Sequence, residues 1–511
     1  MNPFRVLIIQ LARMGDIVQT LPLLIRLREE IPNIHITFLC IDRFSEILKV
    51  TPLINRYVKI STDKALKLLK LDNSNIEILL QHPFLKEAYD LLINLTHDFP
   101  SAIISDRIKA LEKTGAIAEG DRLILKDRWT RYIFSCVENR EENSFNLVDI
   151  HIGMGKVSHR PVVKYLFTEK RVEENIKGFI RSLVGSKKSP IIAFHMGANR
   201  FHRTWPIENF AYLAKELIKH YEARIVLTGS QQEEPLFYEF ASKMPLDYIE
   251  TNQVINLIGK TKLRDLIALL KCCNLLISND TGPIHIAAAV GTPTVGIYLS
   301  TAYPSETAPY GEGHYVIHPS IACYPCLDEP LGFPCGLPCR QTVSPQDVFK
   351  LSSRIIENTE REEETNSVDS IVLSSRFLSN GTLFYKLLNV PSKIPSALVD
   401  KKLKQRLLRL LWEGVLEIPS DFSIIYDESP HNILSWLTKI SVALEGLLLL
   451  IQEKKYVVDN PSLKGLSGLL VDFAKLSIYS GCPEEIPKTI FSMVRRLSEI
   501  QRWIKKPFPY A

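Results

Sequence analysis

The stretch from Leu275 to Tyr298 is LLISNDTGPIHIAAAVGTPTVGIY. Two short apolar runs, Leu275-Leu276-Ile277 and Thr294-Val295-Gly296-Ile297, are bounded by turn residues. That is the pattern of strands buried on both faces of a parallel sheet. Between them stand Ser278-Asn279-Asp280-Thr281-Gly282-Pro283 and a helical run, Ile284 to Val290. Gly282 suits a tight turn, and Pro283 suits the first position of a helix. A strand that ends in a polar turn and feeds a helix gathers uncommitted backbone N–H groups and the positive end of a helix dipole at one spot. Such a spot is a ready anion site. In an α/β sheet, ligands sit beyond the carboxyl ends of the strands, where this turn falls. The same residues also suit a plain βα connection with Asp280 or Thr281 as helix cap.

The pattern recurs upstream. Arg5 to Leu11 has strand character, Ala12-Arg13-Met14-Gly15-Asp16 is a polar turn, and a helix is expected over Ile17–Glu30, ended by Pro32. Ile34–Leu39 and Tyr89–Leu95 are further strands. After a break at Gly185-Ser186-Lys187-Lys188-Ser189-Pro190 the alternation restarts with Ile191–His195, a helix over Ile207–Tyr221 and a strand over Ala223–Thr228. Strand-helix-strand spacing of this kind makes a doubly wound parallel sheet. We expect two successive α/β domains at 1–180 and 186–358. A polar, acidic linker follows at 359–369, and then a helical region at 370–511 with helical spacing in Lys402–Leu416, Ile433–Lys455, Leu463–Tyr479 and Ile486–Ile504.

Composition bounds the function classes. Hydrophobic residues make up 46% and charged residues 23% of the 511, the balance of a soluble globular protein with room for two or three cores. A net charge of +5 is compatible with an anionic ligand or an anionic membrane surface. No basic run is long enough to argue for nucleic acid. The N-terminus runs straight into a strand without a signal-peptide pattern, and the most apolar later run, Val442–Ile451, is too short for a bilayer, which takes about 20 residues. A cytoplasmic location is expected, with peripheral contact at the inner face of the inner membrane and oligomerisation left open.

Three features join the opening one. Gly15-Asp16 puts a carboxylate at the mouth of the first sheet. His195-Met196-Gly197-Ala198-Asn199 ends a strand and is followed by Arg203-Thr204-Trp205-Pro206-Ile207-Glu208-Asn209-Phe210. Thr228-Gly229-Ser230-Gln231-Gln232-Glu233 ends another. In this order and at these distances they resemble glycosyltransferase family 9, the bacterial heptosyltransferases of the lipopolysaccharide inner core. The resemblance covers about residues 4–355. It is carried by LIIQLARMGDIVQTLPLL, by HMGANRFHRTWPIENF and, most closely, by SNDTGPIHIAAAVGTPTVGIY.

The resemblance implies a GT-B fold, two Rossmann-like domains facing each other across a cleft, with the sugar nucleotide on the second. It implies inverting transfer of a heptose, from ADP-heptose, to a lipopolysaccharide core sugar or a protein hydroxyl, without a cofactor for the chemistry. The chain contains no Asp-x-Asp triplet, the usual handle for a divalent metal on a nucleotide diphosphate. The start of the helix at Thr281-Gly282 and the Arg203 guanidinium are then the candidates to balance the leaving group. Asp16 is by resemblance the base that takes the acceptor proton, and by position also a helix cap. The substrate-binding set is Gly15, Gly197, Ala198, Asn199, Arg203, Glu233, Asp280, Thr281, Gly282 and His285. Glu233 falls where the family holds the donor ribose. Arg203 stands where the family often has Lys, which keeps the charge and adds a fork suited to phosphate. His285 and His195 suit either a site or a structural role.

Cys323-Tyr324-Pro325-Cys326 and Cys335-Gly336-Leu337-Pro338-Cys339 place four thiols within 17 residues, a spacing that suits a structural Zn or Fe ion as well as reduced thiols. Alternative readings are a glycosyltransferase using another nucleotide sugar, and a non-catalytic sugar-nucleotide-binding or assembly protein whose helical region meets a partner.

Overall fold

A computed structural model describes residues 2–63, 73–137, 139–184, 189–326, 333, 335–359, 369–388, 396–419, 489, 492–493 and 495. The first domain carries five parallel strands: β1 (Phe4–Ile9), β2 (Ile34–Ile41), β3 (Arg56–Ile60), β4 (Tyr89–Asn94) and β5 (Ala110–Gly115), in the order β3-β2-β1-β4-β5. A small hairpin, β6 (Ile117–Glu119) and β7 (Arg122–Ile124), follows. The strands are near-continuous apolar runs because helices cover both faces; Val6, Leu7, Ile8 and Ile9 are all fully buried.

The second sheet holds β8 (Ile191–His195), β9 (Arg224–Thr228), β10 (Val254–Asn256), β11 (Leu275–Asn279), β12 (Thr294–Ile297) and β13 (His314–Pro319), all parallel, in the order β10-β9-β8-β11-β12-β13. In each sheet the winding reverses beside the first strand of its domain, between β1 and β4 and between β8 and β11. The crevice at such a switch point is where doubly wound sheets bind ligands. Asp16, the 196–204 loop and the 280–282 turn all follow strands that flank these two crevices.

The region after the linker differs from the helical expectation at its start. Ser370–Phe377 (β14) and Leu383–Leu387 (β15) are antiparallel strands that extend the second sheet beyond β13. Ile371, Val372 and Leu373 are buried there, and a short apolar run of this length does not by itself separate strand from helix. What decides is the free edge of β13. A helix over Ser396–Val415 then matches the expected helical spacing, and its Trp412 is fully buried, edge-on to Tyr132 of the first domain at 5.1 Å between ring centroids. The expected helices at 433–455, 463–479 and 486–504 lie, but for four residues, outside the described residues, as do most of the linker and the 185–188 break.

The two domains share one of their apolar clusters. A single apolar cluster runs from Ile8 and Ile93 of the first sheet through Ile284 and Ala287 to Leu407, Leu411 and Val415. Polar stitches reinforce it. Arg409 is buried and donates to the carbonyl of Ser144 (2.6 Å) and the hydroxyl of Thr382 (2.6 Å), while Leu383 N–H donates to Asp149 Oδ2 at 3.0 Å. The post-linker segment thus joins the second sheet and packs its helix on the first domain. Among the described residues no helix is long and apolar enough to cross a membrane.

Candidate functional site

Asp16 sits in the first turn of the helix Met14–Glu30, whose start follows β1 by four residues. Its Oδ2 accepts from the Arg13 N–H at 2.9 Å, so one oxygen caps the helix. Burial pushes its carboxyl above the ordinary range; Arg13 and its N–H oppose the shift, and the Glu306 carboxylate adds to it. Both sequence readings, cap and cleft carboxylate, are compatible in one residue.

Against this turn packs the start of the helix Gly282–Val290. Thr281 holds the cap position in extended backbone, and neither its side chain nor that of Asp280 caps the helix. The Thr281 hydroxyl turns back toward Ser278 Oγ (3.2 Å) and the Asn279 carbonyl (3.3 Å). No side chain takes the first N–H groups of this helix; Pro283 has none and the Ile284 N–H donates to the Thr281 carbonyl at 3.2 Å, which leaves that of Gly282 as the one an anion could take. The two helix starts meet closely. A methyl group on Gly15 would stand 3.1 Å from His285 Cδ2 and 3.7 Å from Gly282 Cα, and one on Gly282 would stand 2.8 Å from Met14 Cε. His285 is buried, burial holds its imidazole at about 4 and so neutral at physiological pH, and its Nδ1 meets no hydrogen-bond partner.

Arg203 does not reach outward as a lone cation. Its Nε donates to Thr301 Oγ1 (2.7 Å), Nη2 to the Thr301 carbonyl (2.9 Å) and Nη1 to Asp280 Oδ2 (3.3 Å). Five guanidinium N–H groups less these three leave two for a ligand. Asp280 is the holder of Arg203, not a face toward phosphate: its other oxygen accepts from Thr307 Oγ1 at 3.4 Å. Burial raises its carboxyl and Arg203 pulls it back. Asn279 fixes the neighbouring loop, donating to the carbonyls of Met196 (2.7 Å) and Gly197 (3.2 Å) and accepting from Trp205 N–H (2.9 Å). Asn199 is exposed and Ala198 half-buried at the loop's tip.

Glu233 lies at the end of a short turn after β9. Its Oε2 accepts from Ser230 N–H (2.6 Å) and hydroxyl (2.8 Å), and its Oε1 is 3.7 Å from His195 Nε2. His195 Nδ1 meets the Thr228 carbonyl at 3.1 Å, which orients the ring. Burial lowers its pKa and Glu233 raises it. Gly197, Glu233 and His195 are therefore one contact group.

The sequence reading did not find Thr301, Thr307, Arg140 and Glu306. Arg140 and Glu306 are 166 positions apart and form a two-pronged ion pair, Nε to Oε2 at 3.0 Å and Nη2 to Oε1 at 3.1 Å. No local pattern signals such a pair. Among the described residues no three of the His, Cys, Asp and Glu side chains stand where they could hold a metal ion. Cys323, Cys326, Cys335 and Cys339 are all among those residues, so the structure does not gather them into a ligand set; the Cys326 thiol is pushed up to about 11, chiefly by burial.

Comparison with known proteins identifies the family and the fold. The family model for glycosyltransferase family 9 (heptosyltransferase) matches residues 79–335, half of the chain. The chain is 27% identical over 319 residues to lipooligosaccharide heptosyltransferase 2 of Haemophilus influenzae, covering 61% of this chain and 88% of that one. It is 28% identical over 309 residues to lipopolysaccharide heptosyltransferase 1 of Campylobacter coli, covering 58% and 84%. Its fold is similar to a family 9 glycosyl transferase from Veillonella parvula (TM-score 0.51, 20% identity, 70% of this chain and 97% of that one). It is similar also to E. coli ADP-heptose lps heptosyltransferase II (TM-score 0.50, 20% identity, 69% and 99%). The GT-B arrangement extends through both domains, and the post-linker segment lies beyond the match.

Proposed function

The chain belongs to glycosyltransferase family 9, the heptosyltransferases, and from that premise we propose that it transfers a heptose from ADP-heptose to a hydroxyl of a lipopolysaccharide core sugar or a protein. In this reading the donor diphosphate lies at the uncapped helix start of Thr281-Gly282, with the two remaining N–H groups of Arg203 on its oxygens. Neutral His285 donates a hydrogen bond at the same spot. Glu233, placed between Gly197 and His195, holds the ribose hydroxyls. Asp16 removes the acceptor proton as the hydroxyl attacks the anomeric carbon from the side opposite the departing ADP, so the configuration inverts. Charge balance comes from protein cations and backbone dipoles, and no metal takes part in the step. The nucleotide-sugar donor fits a cytoplasmic reaction, and a lipopolysaccharide core acceptor would bring it to the inner face of the inner membrane.

The observation that carries the reading is the close meeting of two helix starts at strand carboxyl ends, the Gly15-Asp16 turn after β1 against Gly282 and His285 after β11. Calorimetry with a panel of nucleotides and nucleotide sugars tests it. ADP-heptose binding more tightly than ADP, with turnover lost and ADP binding kept in Asp16→Asn, is the expected result. Tighter binding of another nucleotide sugar moves the donor assignment, and wild-type binding without turnover on any acceptor favours a sugar-nucleotide-binding protein.

The C-x2-C and C-x3-C spacing, and not the placement of the thiols in the structure, supports a separate structural proposal, a Zn or Fe ion at Cys323, Cys326, Cys335 and Cys339. No step of the transfer runs through it. Metal analysis of purified protein, with Cys326→Ser and Cys339→Ser as controls, decides between one ion per chain and reduced thiols.

A further inference from the structure

The short helix Pro304–Thr307 carries two side chains with different addresses. Glu306 reaches the first domain, where its carboxylate takes both prongs of the Arg140 guanidinium at 3.0 and 3.1 Å. Thr307, the next residue, shares its one hydroxyl proton between Asp280 Oδ1 and the Tyr303 carbonyl, both at 3.4 Å, and Asp280 in turn holds Arg203 Nη1 at 3.3 Å. Two anchors keep this helix from turning on its own. Tyr298 OH donates to the Thr307 carbonyl at 2.9 Å, and the Arg140 guanidinium lies over the Tyr303 ring at 4.3 Å from its centroid. Both partners of the ion pair are largely shielded, at 24% and 19% side-chain exposure, so the pair is not a screened surface contact. A planar two-pronged pair fixes orientation as well as distance, which a single-point contact would not.

We propose that Glu306 is a positioning residue: by clamping Arg140 of the first domain it sets the Pro304–Thr307 helix, and through Thr307 the Asp280 carboxylate that braces Arg203, the cation of the donor diphosphate. The contact between the domains is thereby linked to the orientation of the phosphate-binding cation. A phosphate cation held in its binding orientation only when the two domains meet ties donor affinity to domain contact. This inference rests on the reading that Arg203 meets the diphosphate.

The test uses the full chain, with Glu306→Gln, Arg140→Gln and the charge-exchanged double variant Arg140→Glu/Glu306→Arg. The readouts are ADP affinity by calorimetry, KM and kcat with ADP-heptose, and thermal midpoint as a folding control. Each single variant is expected to weaken ADP binding and raise donor KM about tenfold, with the acceptor KM within about twofold of wild type. The exchanged pair is expected to recover most of that loss. Wild-type ADP affinity in both folded single variants overturns the proposal. Failure of the exchanged pair to recover, when it folds with a wild-type midpoint, overturns it as well. If Glu306→Gln does not fold, Glu306→Asp, which keeps the charge and shortens the reach, is read by the same criteria. Absence of ADP binding in the wild type would sink the donor-site reading itself, and is distinct from wild-type binding that the Arg140 and Glu306 variants leave untouched.

Discussion

Glu233 Oε1 occupies the space in which a side chain on Gly197 would begin: a methyl group there would lie 1.5 Å from it. The carboxylate and the bare backbone at the end of β8 are fitted to each other. Glu233 is the flexible end of a side chain, so Gly197→Ala is expected to displace the carboxylate and not to unfold the chain. The expected outcome is an about tenfold weaker nucleotide affinity with a thermal midpoint within about 2 °C of wild type. Calorimetry and a melting curve check it. Glu233→Gln, which keeps the shape, should lose affinity to a similar extent if the ribose hydroxyls are what Glu233 holds.

Asp16 carries a carboxyl raised by burial. As a base it must be ionised, so turnover falls as pH drops through its raised pKa, and the acid limb of kcat/KM should lie above the ordinary Asp value near 4. Asp16→Asn is expected to lower kcat by about 100- to 10,000-fold while leaving ADP affinity unchanged. The sign for stability is opposite. A carboxyl whose pKa is raised on folding favours the fold below its unfolded pKa and loses that contribution as pH rises through the folded one. At pH 7.5 the Asn variant should melt no lower than wild type. Rate profiles and melting curves of the two proteins test both halves.

Arg203 is braced by Thr301 and Asp280 through three separate nitrogens. A lysine has one nitrogen and cannot make the same set of contacts. Arg203→Lys is expected to weaken ADP binding at least about tenfold even though the charge is kept. Arg203→Ala also leaves the shielded Asp280 carboxylate without its cation and should cost about 1–3 kcal/mol of stability. Asp280→Asn added to Arg203→Ala should restore part of that stability and none of the affinity. Denaturant titrations and calorimetry separate the two effects.

Asp149 lies at the seam with the post-linker hairpin, where it accepts from Leu383 N–H, and its carboxyl is pushed up to about 7, chiefly by burial. By the same sign argument the stability it contributes is full below about pH 4 and is lost as pH rises toward 7 and beyond. Several buried histidines act the other way; His159 is held near 4 and loses stability as pH falls below its ordinary value. The informative quantity is thus the difference between wild type and Asp149→Asn. That difference should move in favour of the Asn variant between pH 5 and pH 8. A pH-independent difference in thermal midpoint would sink the assignment.

The legible part of this protein was what lies close together in the chain. Apolar runs bounded by turns, with Gly282 and Pro283 at a helix start and Gly15-Asp16 in the first βα turn, foretold the parallel sheets and the helices at their carboxyl ends. These features depend on local sterics and on a period that a short window contains. The motif order from Gly15 to Tyr298 was enough to suggest the family, and the family match followed it. The edge strands at 370–387 were not legible, because a short apolar run becomes a strand only when an unpaired edge, here β13, is offered to it. Nor was the working arrangement of the site. That Asp280 braces Arg203, that Glu233 fills the space at Gly197, and that Arg140 clamps Glu306 from 166 positions away all depend on which strand ends the two sheets bring together. Local chain chemistry determined which groups are available. Only the packing of the two domains against each other decided which of them meet, because contact between distant residues is a property of topology and not of any stretch of sequence.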